Sequence, residues 1–212
     1  MNIKLVVVLA VFAVSNGCSN SQDANETNFK NSVQAYLDKE YPKCYYIQNF
    51  PVTTEQMFSN EKILQLLAKS GILEEKDTGL KKQEVSSGFS FDIVKKMVPV
   101  YSYNLTEEGR KYYKLEVRTA INGSKIGGFC LGKAKVSAID QFTEPSDMMG
   151  QKVSRVIYHY SVTEFPEWAK DEQIKSVLKE LKADVESENN PKKEVGDLTL
   201  TNKGWVLGVF LK

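Results

Sequence analysis

The stretch "GGFCLGKA", residues Gly127 to Ala134, decides whether this chain folds around a nucleotide or around a sheet. Gly127, Gly132 and Lys133 have the G-x-x-x-x-G-K spacing of a phosphate-cradling loop. Such a loop needs a hydroxyl after the lysine to hold magnesium, and a helix starting there to meet the anion with backbone amides. Ala134 carries no hydroxyl, and the flanks are strand-like. Val117, Thr119 and Ile121 alternate with Arg118 and Ala120, and Asn122-Gly123 predicts a tight hairpin turn with two positive-φ positions. The stretch therefore reads as the return strand of a hairpin. Nucleotide is not expected as a ligand, and neither is any other cofactor.

Working outward, three cysteines bear on the compartment. The N-terminus "MNIKLVVVLAVFAVSNGCSN" runs from a short basic start through about ten apolar residues to small residues, the layout of an export signal. That run is too short for a permanent span, which takes about twenty apolar residues. Residues 1–17 are expected to be the signal peptide. If Cys18 is set apart, only Cys44 and Cys130 are left to pair in an oxidising space. They sit in "KCYYI" and "GFCLG", both read as buried strands. A bridge between them and two separate buried thiols both stand as readings.

The 212 residues carry 28 Lys+Arg and 27 Asp+Glu. Removing the signal takes away Lys4 and leaves the two signs equal, so there is no basic footprint for nucleic acid. With 42% hydrophobic residues the composition is that of a globular chain able to bury a core.

Apolar periodicity places a helix from about Asn28 to Tyr41, a strand at Cys44–Ile47, and a helix in "NEKILQLLAKSGIL" that starts after Asn60 and ends at Gly71. Residues 74–87 are polar and read as a loop. "VPVYSYNLTEEGRKYYKLEV" reads as a hairpin around Glu107-Glu108-Gly109, or else as a strand followed by a short helix capped by Thr106. A strand over "VSRVIYHYSV", a helix from about Asp171 to Val185 and the strands of "LTLTNKGWVLGVFL" complete the chain. The expected fold class is α+β, with antiparallel sheet and about three helices. Placing "EKILQLLAKS" and "LTEEG" beside "EQIKSVLKEL" and "LTNKG" suggests two helix-plus-hairpin units, 29–121 and 122–212, behind a tether at 18–28.

Two resemblances add to this reading. Ser15-Asn16-Gly17-Cys18 resembles the lipobox of bacterial prolipoproteins, departing from it at Ser15 and Asn16. That implies a palmitate-type lipid anchor on Cys18, and Ser19 after it points to an outer membrane facing the periplasm. The region "FCLGKAKV…FTEPSDMMGQKVSRVIYHYSV…FPEWA" is similar to a segment of proteobacterial lipoproteins, from which no activity carries over. Over residues 60–115, the L-x-x-L-x-x-x-G-x-L and Y-x-L-T-x-x-G patterns resemble winged-helix domains, which would imply a fold rather than DNA binding.

Candidate chemistry is sparse. His159 is the only histidine, which excludes a multi-histidine metal site. Asp77-Thr78-Gly79 has the letters of an aspartic protease site but reads as a surface turn. Ser59 with Lys62 and Ser176 with Lys179 match S-x-x-K, without the K-T-G and S-D-N elements of serine–lysine acyl enzymes. Asn25, Asn104 and Asn122 begin glycosylation sequons. Tyrosines in strand-like segments, among them Tyr41, Tyr45, Tyr101 and Tyr113, suit either sheet packing or an interface. Phe165-Pro166-Glu167-Trp168 offers Phe165 and Trp168 as a binding patch or as core closure. The expected function is a binding or assembly module with a cell-envelope protein partner and no catalytic residue. The alternatives are an envelope hydrolase or an immunity-type protein that blocks a toxin.

Overall fold

The computed structural model describes residues 20–56, 61–86 and 93–208. Cys18 and the expected signal peptide lie outside the described residues. The chain opens with α1 (Glu26–Glu40), whose N-cap Asn25 accepts from the Asn28 amide at 2.9 Å. The part of the expected tether that is described is tied to the fold. Asn28 Nδ2 donates to the carbonyls of Asn20 and Asp23, and Trp205 Nε1 donates to the Gln22 carbonyl at 3.1 Å.

Eleven strands follow among the described residues, all paired antiparallel. One sheet has the order β1 (Lys43–Ile47), β6 (Lys125–Leu131), β5 (Tyr113–Thr119). Another runs β11 (Gly204–Leu207), β10 (Lys192–Thr201), β9 (Gln151–Thr163), β7 (Lys133–Phe142), with the short β8 (Ser146–Met148) also on β9. The third is β2 (Val52–Thr53), β4 (Ile93–Leu105), β3 (Leu73–Ser86). The class is α+β, as the periodicities indicate.

"GGFCLGKA" is a strand and its continuation. β6 ends at Leu131, the chain turns at Gly132, and β7 begins at Lys133, so no helix starts at the lysine. Lys133 instead lies 3.6 Å from Glu164, both two-thirds exposed. Cys44 and Cys130 face each other in the β1–β6 register and are joined by a disulfide across 86 residues of sequence. In the chain-entropy picture a loop of that length stabilises by about 4 to 5 kcal/mol.

α1 packs against both edges of the larger sheet, β7 and β11, so the sheet curls around the helix. Phe29 meets Phe142 and Trp205 edge-on, with ring centroids 4.8 and 5.0 Å apart. Gln34 on the same helix donates to the Ala134 carbonyl and accepts from the Val136 amide, pairing the exposed edge of β7 as a neighbouring strand would. Since β1 pairs with β6 and α1 packs on β7 and β11, the stretches 29–121 and 122–212 interlock, and the boundary between them falls inside the β5–β6 turn. Their buried residues form one continuous cluster.

Four local expectations are corrected. Residues 74–87, read as a loop, are mostly β3: its exposed side chains from Glu74 to Lys81 give no apolar alternation, and its order comes from the ladder to β4. Asp77-Thr78-Gly79 is a bulge in that strand rather than a turn, with the Gly79 amide donating to Asp77 Oδ1. Only Gly123 of the Asn122-Gly123 pair takes positive φ, and the turn closes through Gly123 N–H to the Ala120 carbonyl. The helix expected over 171–185 breaks at Leu178 into α4 (Glu172–Val177) and α5 (Lys179–Glu186). Periodicity does not encode this break, because Ile174 and Leu181 stay buried on either side of it. Of the two readings of "LTEEG", Thr106 capping a helix, α3 (Glu107–Tyr112), is the one adopted. α2 (Glu61–Lys69) buries Ile63, Leu64 and Leu67. Among the described residues, no helix is long and apolar enough to cross a membrane.

Candidate functional site

The strand "VIYHYSV" places alternate side chains on opposite faces of β9. Tyr158 and Tyr160 point toward α1 and are nearly buried, while His159 lies between them on the other face. There His159 Nδ1 and Lys193 Nζ both approach Asp140, each at 3.2 Å. This is a part-exposed ion-pair cluster on a strand surface.

On the inner face, Tyr158 is opposite Glu194 and Tyr160 opposite Lys192 in the β9–β10 register. The last turn of α1 stands over them, and a groove of about 380 Å³ opens between helix and sheet. Its walls are Tyr36, Leu37, Glu40 and Tyr41 from the end of α1, Lys43 from β1, Tyr158 and Tyr160 from β9, and Glu194 and Val195 from β10. Four tyrosines therefore meet in one open groove.

Asp184 lies behind the groove, among Tyr45 and Lys192. It is fully buried on α5, where an unpaired carboxylate would be costly. Tyr45 Oη donates to Asp184 Oδ2 at 2.7 Å, and Lys192 Nζ forms an ion pair with Oδ1. Lys192 also sits 5.8 Å from the centre of the Tyr160 ring. Burial first, then Asp184 and Tyr160, push the Tyr41 phenol far above its usual range. Burial and the hydrogen bond to Asp184 do the same for Tyr45. Burial pushes Tyr158 up to about 12, with Glu194 adding to it. These phenols stay neutral. Asp184 thus holds the Tyr45 phenol and lies close enough to Tyr41 to act on it. α5 is held in turn by Ser187, whose hydroxyl donates to the Asp184 carbonyl and accepts from the Val162 amide.

Lys43 bonds Glu180 at 2.9 Å. Burial works against its charge, but the hydrogen bond to Glu180 and the nearby negative charges of Asp184 and Glu180 together outweigh it, and the net shift of its pKa is upward. A second cleft of about 400 Å³ lies beyond Tyr41, lined in part by Asp38, Pro42, Tyr112 and Glu164. Among the described residues, no group of three or more His, Cys, Asp or Glu side chains gathers as a metal site.

The expected patch at Phe165 and Trp168 is not a surface. Phe165 is 8% exposed and packs beside Tyr45. Trp168 is half-buried, edge-on to Tyr112 and Phe129 at 5.8 and 6.0 Å, so proline fixes these rings for core closure. Of the tyrosines singled out in sequence, Tyr41 lines the groove and Tyr45 holds Asp184. Tyr103 is in the core, and its hydroxyl donates to Glu75. Sequence reasoning missed Asp184 and the pairing of Tyr36 with Tyr158 and Tyr160. The signal for Asp184 was its place three residues after Leu181, on the buried side of an amphipathic helix. Compared with protein-family models, curated proteins and solved structures, the chain matches none.

Proposed function

We propose that this chain is a cell-envelope lipoprotein, anchored through Cys18 after loss of residues 1–17 and held at the outer membrane facing the periplasm. It acts there as a binding or assembly module whose partner enters the tyrosine groove. The observation that carries the reading is the open groove in which Tyr36 and Tyr41 are part-exposed above a buried floor of Tyr158 and Tyr160. Tyrosine gives large amphipathic contact for few rotatable bonds, and rings with only two side-chain torsions lose little entropy on binding. The Cys44–Cys130 bond suits an oxidising compartment outside the cytoplasm.

Two experiments test this. Cys18→Ser should abolish incorporation of labelled fatty acid; label entering the variant would refute the anchor. For the module, detergent-solubilised membranes are passed over the wild-type protein, Tyr36→Ala and Leu80→Ser, the last carrying a change on the exposed β3–β4 arm. Tyr36→Ala should lose the captured partner while unfolding at the wild-type midpoint, and Leu80→Ser should retain it. The opposite pattern would move the binding surface to the arm.

A further inference from the structure

The charges around the groove are unequal. The one lysine in its walls, Lys43, is paired with Glu180, and Lys192, opposite Tyr160 on β10, is paired with the buried Asp184. Glu40 and Glu194 form no ion pair among the described residues, and both are exposed in the groove walls. They act on one place: burial first, then Glu40, Tyr160 and Glu194, raise the Tyr36 phenol above its usual range. A third source of negative potential is α1 itself. This 15-residue helix ends at the groove, where its last carbonyls and the negative end of its dipole lie. Lys39, exposed in the same turn, is not part of the groove walls.

The part-exposed rings of Tyr36 and Tyr41, two carboxylates without an ion pair and a helix C-terminus all favour a cation. From these we infer that the groove receives an arginine side chain from a basic segment of a protein partner. This rests on the reading of the groove as the recognition surface. Arginine fits better than the other organic cations. Its planar guanidinium stacks on rings and offers paired N–H donors that match a carboxylate edge. A lysine ammonium is more strongly hydrated and does not stack, and a quaternary ammonium has no donor for Glu40 or Glu194. The groove volume of about 380 Å³ admits one such side chain with its backbone outside.

The test uses the full chain in detergent micelles with its disulfide intact, followed by amide chemical shifts. N-acetyl-L-arginine amide is titrated against N-acetyl-L-citrulline amide, which has the same shape without the charge, and against chitobiose as a neutral saccharide. Arginine amide should shift Glu40, Tyr41 and Glu194 saturably, and citrulline should bind about tenfold more weakly. Added salt should weaken the arginine interaction, because the carboxylates are exposed. The double variant Glu40→Gln with Glu194→Gln should lose about fivefold or more in arginine affinity while its other resonances stay in place. Equal binding of arginine and citrulline amides would overturn the arginine assignment and leave the groove as a binding surface. Shifts with chitobiose alone would do the same. If no probe moves the groove residues, the inference also fails, and capture by wild type against Tyr36→Ala then decides the module reading separately.

Discussion

LTEEG at Leu105–Gly109 and LTNKG at Leu200–Gly204 share three letters and build different objects. In the first, Thr106 caps α3, its hydroxyl accepting from the Gly109 amide at 3.0 Å and donating to the carbonyls of Gly71 and Ile72. In the second, Thr201 ends β10, and its hydroxyl donates to the Gly204 carbonyl across a two-residue turn into β11. The intervening residues separate the outcomes. Glu107 and Glu108 suit the positive end of a helix and are followed by Arg110 and Lys111 at its other end. Asn202-Lys203 is followed instead by Gly204-Trp205-Val206, and aromatic and β-branched residues favour a strand. The glycines differ in purpose as well. Gly109 lets a helix lie on a carbonyl, with a Cβ there falling 2.1 Å from the Ile72 oxygen. Gly204 supplies a φ of +104° in the turn, and a Cβ there would meet the Ser21 carbonyl oxygen at 2.9 Å, a milder approach than at Gly109. Shared letters in two hairpin units are therefore no evidence of a duplicated structure.

The helices before the two hairpins differ in a way that bears on function. α2 buries only apolar side chains, whereas α5 buries Leu181 together with Asp184. Asp184→Ala should give the largest loss, about 3 to 5 kcal/mol in denaturant unfolding, because Lys192 and Tyr45 are left without their partner. A loss below about 1 kcal/mol would mean that the node holds nothing together. Gly109→Ala comes next, at about 2 to 3 kcal/mol, since the added carbon collides with backbone rather than with a flexible side chain. Gly204→Ala should cost about 1 to 2 kcal/mol, mainly from positive φ, with a smaller part from the Ser21 carbonyl. If the two glycines cost the same with the same change in unfolding slope, the contrast between close approach and turn geometry is not real. Smallest is the pair of threonines. Thr106→Ala should lose about 1 kcal/mol as a helix cap, and Thr201→Ala about 0.5 kcal/mol or less as a turn residue. A reversed order would break the comparison at its first step.

Sequence carried the parts of this molecule where burial is one-sided. α1, the cysteine strands and β9 announce themselves by apolar spacing, whereas spacing left Cys44 and Cys130 open between a bridge and two separate thiols, and the fold joins them. β3 was invisible because an arm with exposed side chains over Glu74 to Lys81 has no apolar rhythm to detect. The groove was invisible for another reason. Tyr36, Tyr41, Tyr158 and Glu194 lie on three elements, and only the curl of the sheet around α1 brings them together. Asp184 went unread as a site because its partners Tyr45 and Lys192 come from β1 and β10, far from it in sequence.

The claim that matters most is that recognition belongs to the groove rather than to the β3–β4 arm. A photo-reactive phenylalanine analogue replaces either Tyr36, part-exposed in the groove wall, or Leu80, 66% exposed on the arm, in the full-length chain in native membranes. Irradiation should give a discrete crosslinked band from position 36 and none from position 80. A band from position 80 alone would contradict the account.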